Sequence, residues 1–127
     1  MEQGTRHTLI VTSHENDGVT IIKLHGSLSA TTAEKGSQKI KKILDRGAKK
    51  VVVNLADIDY ISSGGLRVLI LTCKQLNTVQ GGMKIAAAKG MVKEALDASG
   101  FHLLTRVYGH NLQLCNTQEE AVPAFKT

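Results

Sequence analysis

The sequence contains few of the residues that mark several large classes of protein. It has no Trp, two Phe, two Tyr, one Pro and two Cys in 127 residues. So few aromatic rings leave little with which to stack unpaired nucleotide bases. Two isolated cysteines without a CxxC or a histidine-spaced partner do not make a disulfide framework or a zinc site. No apolar run is long enough to cross a bilayer, and the first residues lack a signal-peptide core, so we expect a cytoplasmic protein without membrane association.

Positive charge is in moderate excess. Its distribution along the chain indicates whether it serves to bind nucleic acid or only lines a solvent-facing helix. The formal net charge is +5, which raises nucleic acid as a partner. Four of the cations are spaced by four, three and four residues, opposite the apolar Ile40, Ile43 and Leu44, and this is typical of the solvent face of a helix. They are Lys35, Lys39, Lys42 and Arg46. Because no aromatic residue lies among them, we expect no direct contact with nucleic acid.

Catalytic and cofactor-binding patterns are missing. The chain has no G-x-S-x-G, no P-loop and no G-x-G-x-x-G, and its five histidines are scattered without metal-ligand spacing. Asp57 and Asp59 alternate along an extended segment and are interpreted as solvated loop residues, with the alternative that they help to hold a cation brought with a nucleotide. We therefore expect no catalytic residues, no metal, no cofactor and no enzymatic activity of its own.

Strand-like and helix-like segments alternate, which predicts an α/β domain with a mixed, largely parallel sheet, about four helices and an N-terminal β-hairpin. Residues 1–7 are predicted to be flexible, and residues 8–127 to form one domain. The hairpin turn is placed at Glu15-Asn16-Asp17-Gly18. The predicted strands are Thr8–His14, Val19–Leu24, Lys49–Leu55, Met83–Ala88 and Leu103–Tyr108. The predicted helices run from Thr31 or Thr32 to about Arg46, from Ser63 to about Thr78, from Gly90 to Ser99, and from Thr117 onward, the last one bent or shortened by Pro123.

The junction between the Lys49–Leu55 strand and the Ser63 helix is the centre of the chain. Two serines and two glycines there offer a capping hydroxyl and a backbone that a partner can approach closely. Spacing alone assigns Ser63 the role of a helix N-cap. A helix N-terminus also favours anionic oxygen, which leaves a second role open.

This junction, Tyr60-Ile61-Ser62-Ser63-Gly64-Gly65-Leu66, resembles the signature of the STAS domains, in particular the bacterial anti-sigma factor antagonists. The resemblance places Ser63 at the phosphorylated serine, which caps the following helix, and Ser62 where the family usually has Asp. The segment Leu24–Ala33 resembles the family's strand-end Gly-x-Leu-Asp motif, with Ser29 replacing the Asp. The similarity extends from about Thr8 to Phe125 and implies a STAS fold.

The resemblance implies a phosphorylation-controlled partner switch. The unphosphorylated protein would bind an anti-sigma factor serine kinase and release the sigma factor, phosphorylation of Ser63 would abolish binding, and a serine phosphatase would restore it. The protein would be a monomer or a weak dimer. The alternative is a STAS module of a larger signalling or transport-linked assembly, with no sigma factor and a structural Ser63.

The expected docking surface is the outward face of the helix that follows Ser63. Ser63, Arg67, Leu71 and Lys74 fall at steps of four, four and three, apart from a buried stripe of Leu66, Leu69, Ile70, Cys73 and Leu76. An apolar Leu71 between two cations on an outward face suggests a partner anchor, although single exposed leucines are also common on protein surfaces. The predicted partner-binding residues are Ser29, Thr31, Thr32, Ser62, Gly64, Arg67, Leu71 and Lys74.

Overall fold

The computed structural model describes residues 8–125, which form a five-stranded sheet flanked by helices. The strands are β1 (Leu9–Asn16), β2 (Val19–Leu28), β3 (Lys50–Ile61), β4 (Gly82–Ala86) and β5 (Leu112–Cys115). The helices are α1 (Ala33–Leu44), α2 (Ser63–Thr78), α3 (Gly90–Ala98), α4 (Phe101–Tyr108) and α5 (Gln118–Ala124), and a single 3-10 turn spans Gly109–Asn111. The predicted α/β class is confirmed. The predicted flexible residues 1–7 lie outside the described residues, as do residues 126–127 of the predicted domain.

The strands lie in sequence order, β1-β2-β3-β4-β5. The first pair is antiparallel, and every later pair is parallel, with helices in the crossovers. The hairpin is confirmed: Asp17 and Gly18 both have positive φ angles, 57° and 81°, between the paired Asn16 and Val19. Two central residues with positive φ make a turn whose twist matches that of the flanking strands.

The sheet carries a core on each face. The larger core packs α1 to α4 against one face and includes Val51 and Val53 of β3. The smaller core includes Val52, together with Ala121 and Val122 of α5. Because successive side chains of a strand point to opposite faces, the continuous apolar run of β3 supplies both cores.

Strands β2 and β3 extend beyond their predicted carboxyl ends, and this extra length positions the centre of the chain. β2 continues past Leu24 to Leu28, and β3 continues past Leu55 to Ile61. The two strands are parallel, with Leu28 paired with Ile61 after two shifts of register. Their carboxyl ends therefore lie side by side at one edge of the sheet, where the loops of α/β proteins build their sites.

The predicted strand Leu103–Tyr108 is wrong, because this segment lies in helix α4. Phe101 is buried, and Leu104 and Tyr108, three and seven positions later, pack against the same core, which is helical spacing. The last strand, β5, follows the helix, so the described residues contain five α-helices rather than about four. Packing of one helix face overrode the β preference of Thr, Val and Tyr in this segment.

One cation, Lys84, is buried beneath α5 with 2% of its surface exposed. Its ammonium group donates a hydrogen bond to Oε1 of Gln113 and lies 4.4 Å from the centre of the Phe125 ring. Burial lowers the pKa of Lys84, against the opposing effect of nearby Cys115. The alternation Met83-Lys84-Ile85 predicts a strand, and in such a pattern the lysine is expected to face solvent. The burial of Lys84 was therefore not predicted.

We expect the two thiols to differ sharply in reactivity. Cys73 lies in the larger core on α2, and burial raises its pKa to about 11. Cys115 is only partly buried; burial raises its pKa too, but the charge of nearby Lys84 opposes this rise. Because the thiolate is the reactive form, one thiol of the native chain should react with Ellman's reagent at about pH 8, and both should react in guanidinium chloride. Cys115→Ser should remove the native reaction and Cys73→Ser should preserve it. Rapid reaction of both thiols in the native protein would contradict the assignment.

Candidate functional site

Helix α2 begins directly where β3 ends, and Ser62 caps it. Ser62 has extended backbone angles, its Oγ accepts a hydrogen bond from the Gly65 N–H at 3.3 Å, and its carbonyl accepts one from the Leu66 N–H at 2.9 Å. These contacts define an N-cap residue. The prediction that Ser63 is the cap is therefore wrong by one position. Because β3 extends to Ile61, only Ser62 remains outside the helix to fill this role.

Ser63 is the first residue of α2, and its side chain is exposed. At this position the backbone N–H groups of Ser63 and Gly64 have no acceptor within the helix. No acidic residue lies in the first turn to offset the positive end of the helix dipole. The hydroxyl of Ser63 thus stands in solvent at a helix end that favours added negative charge.

The loop after β2 lies against this helix end. The Ser62 N–H donates to the Leu28 carbonyl at 3.0 Å, which joins the first residue of the junction to the last residue of β2. A side chain built on Gly65 would place its Cβ 2.1 Å from the same carbonyl oxygen, whereas one on Gly64 would lie 3.5 Å from the Ala30 Cα, an ordinary contact. Gly65 is therefore required for the close approach, and Gly64 is not.

Hydrogen bonds hold the loop between β2 and α1 in shape. The Thr32 hydroxyl accepts from the Ser29 N–H at 2.9 Å and donates to the Ser27 carbonyl at 2.8 Å. The Ser29 hydroxyl lies 3.0 Å from that of Thr31. Thr32 is the N-cap residue of α1, but its side chain makes no capping hydrogen bond. Its hydroxyl stabilises the loop instead.

The predicted partner-binding residues of this loop fall into two groups. Ser29 and Thr32 are 7% and 4% exposed, whereas Thr31 is exposed and follows Ala30, which lies against Gly64 of α2. Ser29 and Thr32 therefore offer little surface for direct contact, and their binding to a partner stays a prediction. Their contribution is to fix the position of Ala30 and Thr31.

The outward face of α2 has the predicted register. Ser63, Arg67, Leu71 and Lys74 are all exposed, with Leu71 at 47%. Leu69, Cys73 and Leu76 are buried as predicted, while Leu66 and Ile70 are only partly buried at the margin of the core. A shallow cleft of about 400 Å³ separates the two faces at the start of the helix. It is lined by Ser63, Gly64, Leu66, Arg67 and Ile70.

The aspartates before the junction bind to neighbouring side chains of the sheet. One oxygen of Asp57 lies 3.9 Å from both Nζ of Lys23 and Nδ1 of His25, and Asp59 accepts a hydrogen bond from the Ser27 hydroxyl at 3.0 Å. Within residues 8–125, no group of three or more His, Cys, Asp or Glu side chains is arranged to hold a metal ion. No helix in that range is long and apolar enough to span a membrane.

Comparison with known proteins identifies the family of this fold. The sequence pattern of the STAS domain matches residues 11–121. The chain belongs to the STAS domain family. A candidate anti-sigma factor antagonist of Bordetella bronchiseptica, BtrV, is 37% identical over 117 residues, covering 92% of this chain and 95% of that protein. The STAS domain is thus of the anti-sigma factor antagonist type.

Two solved structures show how closely the backbone is shared. An anti-sigma factor antagonist from Mycobacterium paratuberculosis superposes with a TM-score of 0.82 at 19% identity, covering 98% of this chain and 99% of its own. The Bacillus cell fate determinant SpoIIAA in its phosphorylated form gives a TM-score of 0.65 at 17% identity, covering 91% and 99%. At these identities the likeness concerns the fold alone.

By the resemblance of the junction to the STAS signature, Ser62 takes a position that is usually Asp. Ser62 keeps the capping function, because Ser and Asp are both good N-cap residues, and it removes a negative charge beside Ser63. The stretches 28–33 and 61–74 contain no Asp or Glu but carry Arg67 and Lys74. The charged side chains of α2 are therefore both positive.

A matched pair of glycine variants tests the close approach between β2 and α2. Gly65→Ala should destabilise the STAS domain by about 2 kcal/mol or more, because its Cβ must displace the Leu28 backbone. Gly64→Ala should leave stability unchanged or raise it by up to about 1 kcal/mol, since Ala favours a helix. Urea unfolding followed by circular dichroism measures both. Equal effects of the two variants would contradict the geometry.

Proposed function

We propose that this chain works as an anti-sigma factor antagonist that is switched by phosphorylation of Ser63. The observation that carries the proposal is the division of roles at the junction: Ser62 caps α2, and Ser63 stands exposed at the first helical position. The Ser63 hydroxyl is therefore accessible to a kinase without breaking a structural contact of the cap. The helix end beside it tolerates negative charge.

In the unphosphorylated state the outward face of α2 binds an anti-sigma factor serine kinase, and the sigma factor is released. The kinase transfers phosphate from ATP to Ser63, and a serine phosphatase removes it again. The modification adds roughly −1.5 to −2 charges and three acceptor oxygens at one point of the surface. Because the fold need not change, the switch acts through the docking surface. The setting is the cytoplasm, with the protein a monomer or a weak dimer.

The charge of the docking surface indicates the chemistry of the partner. Arg67 and Lys74 flank the exposed Leu71, with no carboxylate on α2. Such a surface is complementary to an acidic partner surface that has an apolar pocket for Leu71. A negatively charged phosphate on Ser63 would repel that acidic partner surface. The proposed contact surface also includes Gly64, in the first turn of α2, and the exposed Thr31 of the loop after β2.

The comparisons support this proposal over a STAS module with a structural serine. The relative at 37% identity is named as an anti-sigma factor antagonist, and a protein of the same fold, SpoIIAA, is known in a phosphorylated form. A structural Ser63 would be expected to cap the helix, and that role belongs to Ser62. Capping of α2 is therefore not available as a structural role for Ser63.

Two serine variants should separate modification from capping. Ser63→Ala should abolish phosphate incorporation and change stability little, whereas Ser62→Ala should still be phosphorylated but lose about 1 kcal/mol of stability with its cap. The measurement is incubation with ATP, Mg²⁺ and the anti-sigma factor kinase of the same organism, followed by mass spectrometry of the phosphopeptide. Urea unfolding of both variants supplies the stability values. Phosphate on Ser62 in the parent protein would refute the assignment.

Leu71 is expected to anchor the kinase. Leu71→Ala should weaken binding of the unphosphorylated protein by at least about 1 kcal/mol while changing stability little, because the side chain is half exposed. Leu103→Ala is a matched control, since Leu103 is an exposed leucine, at 53%, on α4. Isothermal titration with the kinase measures both variants. Equal weakening by both, or by neither, would place the interface elsewhere.

A further inference from the structure

Arg67 lies one helical turn after Ser63 on the outward face of α2. Residues four apart on a helix have Cβ atoms about 5–6 Å apart, so their side chains can meet. Ser63 and Arg67 are both exposed and line the same cleft of about 400 Å³. The guanidinium group can therefore reach a group attached to the Ser63 oxygen without any change of backbone.

The charge of Arg67 has no counter-ion in the described part of the chain. The ion pairs found within residues 8–125 include Asp57 with Lys23, Lys41 with Asp45, and Lys93 with Asp97, and none of them involves Arg67. Helix α2 contains no Asp or Glu with which Arg67 could pair along its own surface. An exposed arginine that is not held by a carboxylate retains its donors for an added anion.

Phosphate is the anion that suits this geometry. Guanidinium presents a planar fork of N–H donors that pairs with two phosphate oxygens, and such charge-assisted hydrogen bonds are stronger than neutral ones. The other cation of the same face, Lys74, is eleven residues from Ser63 (74 − 63), or about 16 Å along the helix axis. It is too distant to compete. Arg67 is therefore the one cation of α2 within reach.

We propose that Arg67 is the intramolecular partner of a phosphate on Ser63. The inference rests on the proposed phosphorylation and adds a second effect to it. The phosphate introduces negative charge at the docking surface and, by pairing with Arg67, withdraws one of the two cations that the partner would contact. Arg67 acts here as a positioning residue for the phosphate, so one modification changes two features of the same surface.

The test uses the full chain with phosphoserine introduced at position 63 during translation, which requires no kinase. The second ionisation of the phosphate, ordinarily near pH 6, is followed by ³¹P NMR. A paired arginine stabilises the dianion, so Arg67→Gln should raise the second pKa by about 0.5 relative to the parent phosphoprotein. Arg67→Lys should give a value closer to the parent, because it keeps the charge. Raising the salt to about 1 M should shrink the difference between parent and Arg67→Gln.

Lys74→Gln is the matched control, since it removes an equal charge from the same helix face. Lys74→Gln should leave the second pKa of the phosphate within about 0.1 of the parent value. The distance between position 74 and the phosphate exceeds the screening length near 0.15 M salt, so the charge of Lys74 has little effect on the phosphate. An unchanged pKa in Arg67→Gln, or equal shifts in both variants, would overturn the inference. Failure of the proposed function would appear separately, as the absence of phosphate on Ser63 after incubation of the unmodified chain with kinase and ATP.

Discussion

The contact between the carbonyl of Leu28 and the first turn of α2 holds the site together. That carbonyl accepts the Ser62 N–H, and the Cα of Gly65 lies so close that no side chain fits between them. The end of β2 and the beginning of α2 thereby become one rigid unit. This contact fixes the positions of the exposed residues at this edge of the sheet, among them Ala30, Thr31 and Ser63. A functional surface made of two loops is precise only when the loops are fixed to each other in this way.

The sheet explains why the contact is possible. β2 and β3 run parallel and end together, with Leu28 paired with Ile61, so the two loops leave the sheet at neighbouring points. Burial of β3 on both faces, against α2 on one side and α5 on the other, fixes the register of the strand. The hydrophobic core therefore determines where the serines of the junction lie, although none of its residues belongs to the surface they form.

Much of this arrangement could be predicted from the sequence, because strong periodicity and glycine punctuation set most element boundaries. The hairpin at Asp17 and Gly18, the α/β class and the outward face of α2 were predicted from such patterns. The junction was misread by one residue, since two adjacent serines are equally good caps and only the length of β3 decides between them. Helix α4 was misread because its short segment is rich in β-favouring residues, and packing of Phe101 and Leu104 in the core outweighed that preference. Burial of Ser29, Thr32 and Lys84 depends on long-range neighbours that no local pattern contains.

The separation of the cap from the exposed serine has a consequence for the lifetime of the protein. Proteases in a cell act mainly on the small unfolded fraction, which is set by the free energy of unfolding. A phosphate on Ser63 would leave the Ser62 cap intact and sit at a helix end that accommodates negative charge. Both signalling states would then be degraded at similar rates. The ratio between them would report the activities of kinase and phosphatase and would not be distorted by selective loss of one form.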